Sequence, residues 1–273
     1  MRIFVDPAAL VAGALVVRGD EHHYLSHVRR VRVGDAVELV DGAGRRAAAT
    51  ITRIAADATT LDVRAAEPVP DAPPFVRALV PLIKGDRMDA CIEKLVEVGA
   101  DAIVLWPAAR SVVQLDPHRR DARIARYQAL ARAAARQSGR ARVPEVTGAA
   151  DLAAALAALP ASVTLAALPA SAALAALPAS AALAALPGPT ASTGEATVRL
   201  VLDPTSDAPL ALGVPGVAVD VTIASGPEGG LAPAELSRLA QAGFLSLGLG
   251  PRVLRAETAP LVAVALIRAA TRS

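Results

Sequence analysis

Prolines occupy four of the seven positions from 68 to 74 (Pro-Val-Pro-Asp-Ala-Pro-Pro). No helix interior or central strand tolerates that density, because each proline removes a backbone donor and fixes φ. The stretch therefore reads as a stiff extended linker and divides the chain. Before it, residues 1–70 carry short strand-like runs at 37–40, 47–54 and 60–64, with an Asp41-Gly-Ala-Gly44 turn between the first two. The run at 60–64 alternates polar and apolar residues, the period of a half-buried strand. A helix is predicted over 20–32, so this half reads as a small β-rich domain. From 75 to 273 the texture changes. Strands at 76–82, 102–106, 198–202, 217–224 and 244–247 alternate with helices at 89–98, 121–136 and 151–159, the pattern of an α/β sheet. A length of 273 residues suits one large or two modest domains.

Charge points to the partner. Of 28 Lys and Arg residues only Lys84 and Lys94 are lysine, and nine arginines lie between Arg110 and Arg142 against only Asp116 and Asp121. A basic density of that kind calls for a polyanion, with phosphate first among candidates. The 20–32 helix adds His22, His23, His27, Arg29, Arg30 and Arg32. One cysteine, Cys91, excludes an internal disulfide, and four histidines without a second cysteine argue against a metal site. Residues 1–7 lack a basic start followed by an apolar run, so no leader is read and a cytoplasmic protein is expected. From Leu156 a Leu-Ala-Ala-Leu-Pro-Ala-Ser unit recurs every nine residues, with no charge between Asp151 and Glu195. Prolines at 160, 169, 178 and 187 interrupt any apolar helix long before the ~20 residues a membrane span requires. Residues 160–196 read as a low-complexity insert.

Two loops carry the chemistry. Gly226-Pro-Glu-Gly-Gly230 follows one strand, and Leu247-Gly-Leu-Gly-Pro-Arg-Val-Leu-Arg-Ala-Glu-Thr-Ala259 follows the next. Glycine and proline there expose backbone N–H and C=O groups to a close ligand. Arg252, Arg255 and Glu257 place charge beside that backbone, and Pro260 opens an apolar helix in its first turn. The arrangement implies a small-molecule pocket next to an anion-binding surface. The dinucleotide fingerprint GxGxxG, the phosphate loop GxxxxGK[ST], the nucleophile elbow and HExxH are all missing.

GPEGGL followed by LGPRVLRAETA resembles the C-terminal signature of the SPOUT class of RNA methyltransferases, and specifically of the ribosomal small-subunit RNA methyltransferase E family. HHYLSHVRRVRVGDAVELVDGAG at 22–44 and QSGRARVPE at 137–145 resemble further blocks of that family, although Arg136 stands where the family often has glutamate. The resemblance covers the chain except roughly 160–196. It implies a small N-terminal PUA-like β-barrel that grips RNA over 1–70. It also implies a C-terminal SPOUT α/β domain over 75–273 whose chain forms a trefoil knot, a feature otherwise almost absent from proteins. The implied activity is methylation of a uridine N3 in 16S ribosomal RNA of the small subunit. The cofactor would be S-adenosyl-L-methionine, with homodimerisation and with neither metal nor membrane. Cofactor contacts fall on Leu202, Gly226, Glu228, Gly229, Gly230, Leu247, Leu249, Arg252, Val253 and Leu254. RNA contacts fall on His23, Arg29, Arg32, Lys84, Arg87, Arg110, Arg132, Arg140 and Arg142. Arg255 and Glu257 are the catalytic pair, with Arg255 stabilising uridinate and Glu257 orienting it; Glu257 as proton acceptor is the second reading. At Asp203-Pro204 the chain departs from the family's histidine-containing pair, which leaves a backbone contact there but no side-chain role. Two rivals stand beside this reading: a SPOUT enzyme acting on another RNA atom such as a ribose 2′-hydroxyl, and a non-enzymatic RNA-binding assembly factor. Calorimetry with the cofactor separates the second.

Overall fold

The structure, a computed structural model, describes residues 1–70, 73–113, 118–160, 197–206 and 220–270. The nonameric repeat beyond Pro160 and the first residues of the strand expected at 217–224 lie outside the described residues. The chain forms two compact units, Met1–Asp71 with Arg132–Val143, and Ala72–Ala131 with Pro144–Ser273.

In the first unit β1 (Arg2–Phe4), β2 (Gly13–Arg18), β3 (Ala36–Val40), β4 (Arg45–Ile54), β5 (Ala58–Val63) and β6 (Glu67–Pro68) form one sheet. Its order is β1-β3-β4-β5-β2, with β6 against β4. Along β4 the alternating residues Ala47, Ala49 and Ile51 are buried, so period-two patterning sends one face into a core with Ile3, Leu25, Leu39 and Leu61. The first two strands escape a reading of the sequence because β1 is only three residues long and β2 is mostly exposed. The predicted 20–32 helix is shorter. α1 (Gly19–His23) continues as a π-helical turn, Tyr24–Val28, and stops because Arg30 takes φ 51°. The Val31 N–H then caps the end on the Leu25 carbonyl at 3.1 Å. His22 is buried within it, bonding Thr59 Oγ1 at 2.9 Å and the Ala56 carbonyl at 3.1 Å, and so serves structure.

In the second unit six parallel strands run in the order β12-β10-β11-β7-β8-β9. They are β7 (Val76–Pro81), β8 (Ala102–Trp106), β9 (Glu145–Gly148), β10 (Thr197–Leu202), β11 (Asp220–Ala224) and β12 (Phe244–Leu247). Covered on both faces, the central strands read as near-continuous apolar runs. Helix α2 (Asp86–Val98) buries Met88, Cys91, Ile92, Leu95 and Val96, a stripe at helical spacing. Helix α3 (Arg120–Ser138) begins in this unit and its residues from Arg132 group with the first. It ends in a Schellman turn, with the Arg140 N–H on the Ala135 carbonyl at 2.9 Å, so Arg140 leaves the helical row of Arg132 and Arg136. α4 (Leu152–Ala157), α5 (Pro233–Gln241) and α6 (Thr258–Ala270) complete the unit. From α6, Arg268 donates to the carbonyls of Gly99 at 2.9 Å and Pro74 at 2.7 Å and pairs with Asp101, fastening the last helix to the first crossover. No helix among the described residues is long and apolar enough to cross a membrane.

Because every strand is parallel, all the loops after strands open on one edge of the sheet. Strand order also reverses beside β7: β8 and β9 step outward on one side, while β11, β10 and β12 fill the other. Ligands in open α/β sheets bind at such a reversal, outside the carboxyl ends of the strands.

Candidate active site

A cavity of about 690 Å³ opens at that edge. Its floor is set by register: Leu202 and Leu247 are paired where β10 and β12 end, and the Asp203 N–H donates to the Leu247 carbonyl at 2.9 Å. One wall is the turn after β11. There the Gly230 N–H closes on the Pro227 carbonyl at 2.8 Å, with Gly230 at φ 70°, a conformation that costs any residue with a Cβ. A Cβ at Gly226 would stand 3.1 Å from the backbone nitrogen of Leu231, a tight contact that the turn would have to yield to admit. The other wall is the loop after β12, where Leu249, Arg252, Val253, Leu254 and Arg255 face the cavity. Val253 is 81% exposed, an apolar side chain on the rim.

All ten residues expected to hold the cofactor line this one cavity: Leu202, Gly226, Glu228, Gly229, Gly230, Leu247, Leu249, Arg252, Val253 and Leu254. Sequence reasoning missed the support behind them. Glu235, buried on the first turn of α5, accepts the Ala232 N–H and the Ala109 N–H, each at 2.7 Å. It thereby ties the loop after β8 to the turn after β11. Proline at the helix start with glutamate two residues later is a helix-opening signal that was available. Arg110, expected on the RNA surface, donates to the Gly229 carbonyl at 3.0 Å. Asp203 Oδ1 accepts from the backbone and hydroxyl of Thr205, holding the β10 exit in an Asx turn.

The catalytic candidates sit where this loop enters α6. Glu257 is 17% exposed at the side chain, and its Oε2 is buried without a hydrogen-bond partner. Arg255 is 78% exposed and its Nη1 stands 3.9 Å from Glu257 Oε1, beyond hydrogen-bond reach. Arg87, one of the expected RNA contacts, lines the cavity. It pairs with Glu228 at 2.8 Å and lies 3.9 Å from Glu257 Oε2. Burial, with a smaller push from the Glu257 charge, raises the Cys91 thiol to about 12.

None of the remaining RNA candidates lines the cavity. Lys84 is exposed just beyond β7. In the first unit His23 and His27 stack at 4.7 Å on an exposed face that continues into Arg29 and Arg32. The guanidinium of Arg132 lies 5.1 Å from the centre of the Phe4 ring, and Arg142 bridges to the Gly42–Ala43 backbone. No group of three His, Cys, Asp or Glu among the described residues is placed to hold a metal.

A PUA-like unit joined to a parallel sheet with a cavity at its carboxyl edge defines a SPOUT-type RNA methyltransferase. Family models agree: an RNA methyltransferase domain matches residues 71–189 and 175–268, and an RNA methyltransferase PUA domain matches 17–63. Ribosomal RNA small subunit methyltransferase E of Mycobacterium bovis is 34% identical over 267 residues, 98% of this chain and 90% of that protein. The protein of the same name from Bacillus subtilis is 29% identical over 92% of this chain and 88% of its own length. The chain belongs to the ribosomal RNA small subunit methyltransferase E family. A solved structure of that enzyme from Neisseria gonorrhoeae, bound to S-adenosyl methionine, shares the fold at TM-score 0.73 and 24% identity, covering 99% of this chain and 97% of its own. A methyltransferase from Legionella pneumophila solved with the same cofactor aligns at TM-score 0.74 and 22% identity, over 99% of this chain and 97% of its own.

Proposed function

We propose that this chain transfers a methyl group from S-adenosyl-L-methionine to N3 of a uridine in 16S ribosomal RNA. The observation that carries the reading is the single cavity lined by all the expected cofactor residues, with a buried carboxylate oxygen that accepts no hydrogen bond in the segment entering α6. A volume of about 690 Å³ suits a ligand of nucleoside size. The glycine-built turn at 226–230 leaves backbone where side chains would otherwise fill the space.

When bound, the cofactor supplies an electrophilic methyl on a sulfonium. The chain must do the rest. Uridine N3 is protonated at neutral pH, so the site has to accept that proton or stabilise the anion left behind. Glu257 Oε2 accepts no hydrogen bond and has Arg87 Nη1 at 3.9 Å as an ionic neighbour, which makes this carboxylate the candidate acceptor for the N3–H. That favours Glu257 as the acceptor over its role as orienter, since no hydrogen bond joins it to Arg255. A carboxylate just ahead of a helix start is stabilised as the anion, which weakens it as a base. Arg255 and Arg252 offset this by holding positive charge where uridinate forms. The leucines at 202, 247, 249 and 254 set the position of the bound ligand, and alignment of N3 with the methyl supplies much of the rate.

The same reading carries 16S RNA contact along His23, Arg29, Arg32, Lys84, Arg132, Arg140 and Arg142, a homodimer, a cytoplasmic location and the trefoil knot. It is tested by calorimetry with S-adenosylmethionine, followed by incubation with 16S RNA and mass spectrometry of the nucleosides. Micromolar binding and 3-methyluridine are expected. Binding with a 2′-O-methyl product would replace the target atom, and absence of binding would leave the assembly-factor reading.

A further inference from the structure

We propose that Arg87 is a positioning residue that joins the cofactor turn to Glu257, so that one guanidinium governs both cofactor capture and the approach of the carboxylate. The inference rests on the site assignment above and changes the role of a residue expected to touch RNA. Arg87 sits in the first turn of α2, yet its side chain reaches across to two other segments of the cavity edge. Its Nη2 pairs with Oε1 of Glu228, on the turn after β11, at 2.8 Å. Its Nη1 stands 3.9 Å from Oε2 of Glu257, at the entrance to α6. No other arginine with a described ion pair to Glu257 is anchored in this way: Arg255 is 78% exposed, whereas Arg87 is 42% exposed and fixed at one end by Glu228.

The geometry has a consequence. A guanidinium offers donors in a rigid fork, so moving one carboxylate moves the donors presented to the other. Glu228 lies on the turn that lines the cavity beside Gly226 and Gly230. A ligand that orders this turn thereby fixes the guanidinium, and the guanidinium in turn fixes Glu257. At 3.9 Å the second link is electrostatic and leaves Oε2 able to accept a proton donor. A lysine at 87 would keep the charge but serve one carboxylate at a time.

The experiment is a double-mutant cycle with a conservative rescue. S-adenosylmethionine affinity is measured by calorimetry for Arg87→Ala, Glu228→Gln and the double variant. Methyl transfer to 16S RNA is then followed in single turnovers at saturating cofactor. Each single variant should weaken cofactor binding roughly tenfold, and the double variant should be no worse than either, as for two ends of one link. Arg87→Ala should also slow transfer at saturation at least tenfold, with Arg87→Lys recovering part of the rate, and RNA affinity and its salt dependence should stay at the parental values. Additive losses in the cycle, or a parental transfer rate with a flattened salt dependence of RNA binding, would overturn the proposal and return Arg87 to the RNA surface. Should the parent transfer no methyl to 16S RNA, the functional reading fails on its own, and the calorimetric cycle still decides the link.

Discussion

Glu257 and Arg255 are two residues apart but occupy different environments, one nearly enclosed and the other in solvent, and that contrast divides their roles. Glu257→Gln and Arg255→Ala should each slow single-turnover methyl transfer by roughly a hundredfold or more while cofactor affinity stays near the parental value. A raised cofactor dissociation constant with an unchanged rate at saturation would assign them to the binding loop instead. If uridinate stabilisation limits the rate, raising pH should partly rescue Arg255→Ala, because the substrate then loses its proton unaided. A flat pH profile for that variant would contradict the role. Cys91, behind Glu257 on α2, gives a test on stability. Its thiol rises from 9.0 to about 12 on burial, so the folded state holds its proton more tightly than the unfolded chain does. The resulting stabilisation is fully present below pH 9 and is lost as pH climbs toward 12, a span worth on the order of 4 kcal/mol. Urea midpoints measured across that range should fall more steeply for the parent than for Cys91→Ala. At neutral pH the thiol should resist alkylation until the protein unfolds.

At the scale of elements, the arginine-rich face is where expectation and contact diverge most. Arg132 and Arg136 lie near Phe4, and Arg136 also pairs with Glu21 at 2.7 Å, so part of this face is engaged within its own unit. Arg132→Ala, Arg140→Ala and Arg142→Ala should each raise the RNA concentration needed for binding and flatten its salt dependence by about one unit of slope or less, leaving cofactor affinity unchanged. Parental RNA binding by all three variants at every salt concentration would leave the face a structural and solvated surface. The pair Arg136–Glu21 gives the arginine at 136 a partner within its own unit. Much of the α/β sheet was legible because its strands are apolar runs bounded by glycine and proline. The cavity residues were legible because their glycines and leucines lie in strand-end loops whose backbone does the work. β1, β2 and β9 were not, being short, and their places are set by pairing with residues far away in sequence; α5 was passed over although its opening proline and glutamate signalled it. The contacts of Arg87 with Glu228 and of Arg110 with the Gly229 carbonyl were not legible, because charge alone does not reveal direction and only the fold brings these partners within reach.

For the whole molecule, the proposal makes the Ala/Pro-rich insert incidental to chemistry. It has no charge with which to hold RNA between Asp151 and Glu195, and it joins α4 to β10, neighbours that ordinarily need only a short connection. Replacing 160–196 with a short Gly/Ser linker should leave methyl transfer within about twofold of the parent, since loop length changes closure entropy only slowly. Loss of activity in a variant that still folds would give the insert a role. The most direct test of the central claim is made on cells lacking this protein. Nucleosides from their 16S RNA, compared by mass spectrometry with those of the parent strain, should lack one 3-methyluridine, and restoring the gene should return it, whereas restoring a Glu257→Gln copy should return far less. An unchanged 3-methyluridine content in the deleted strain would contradict the account.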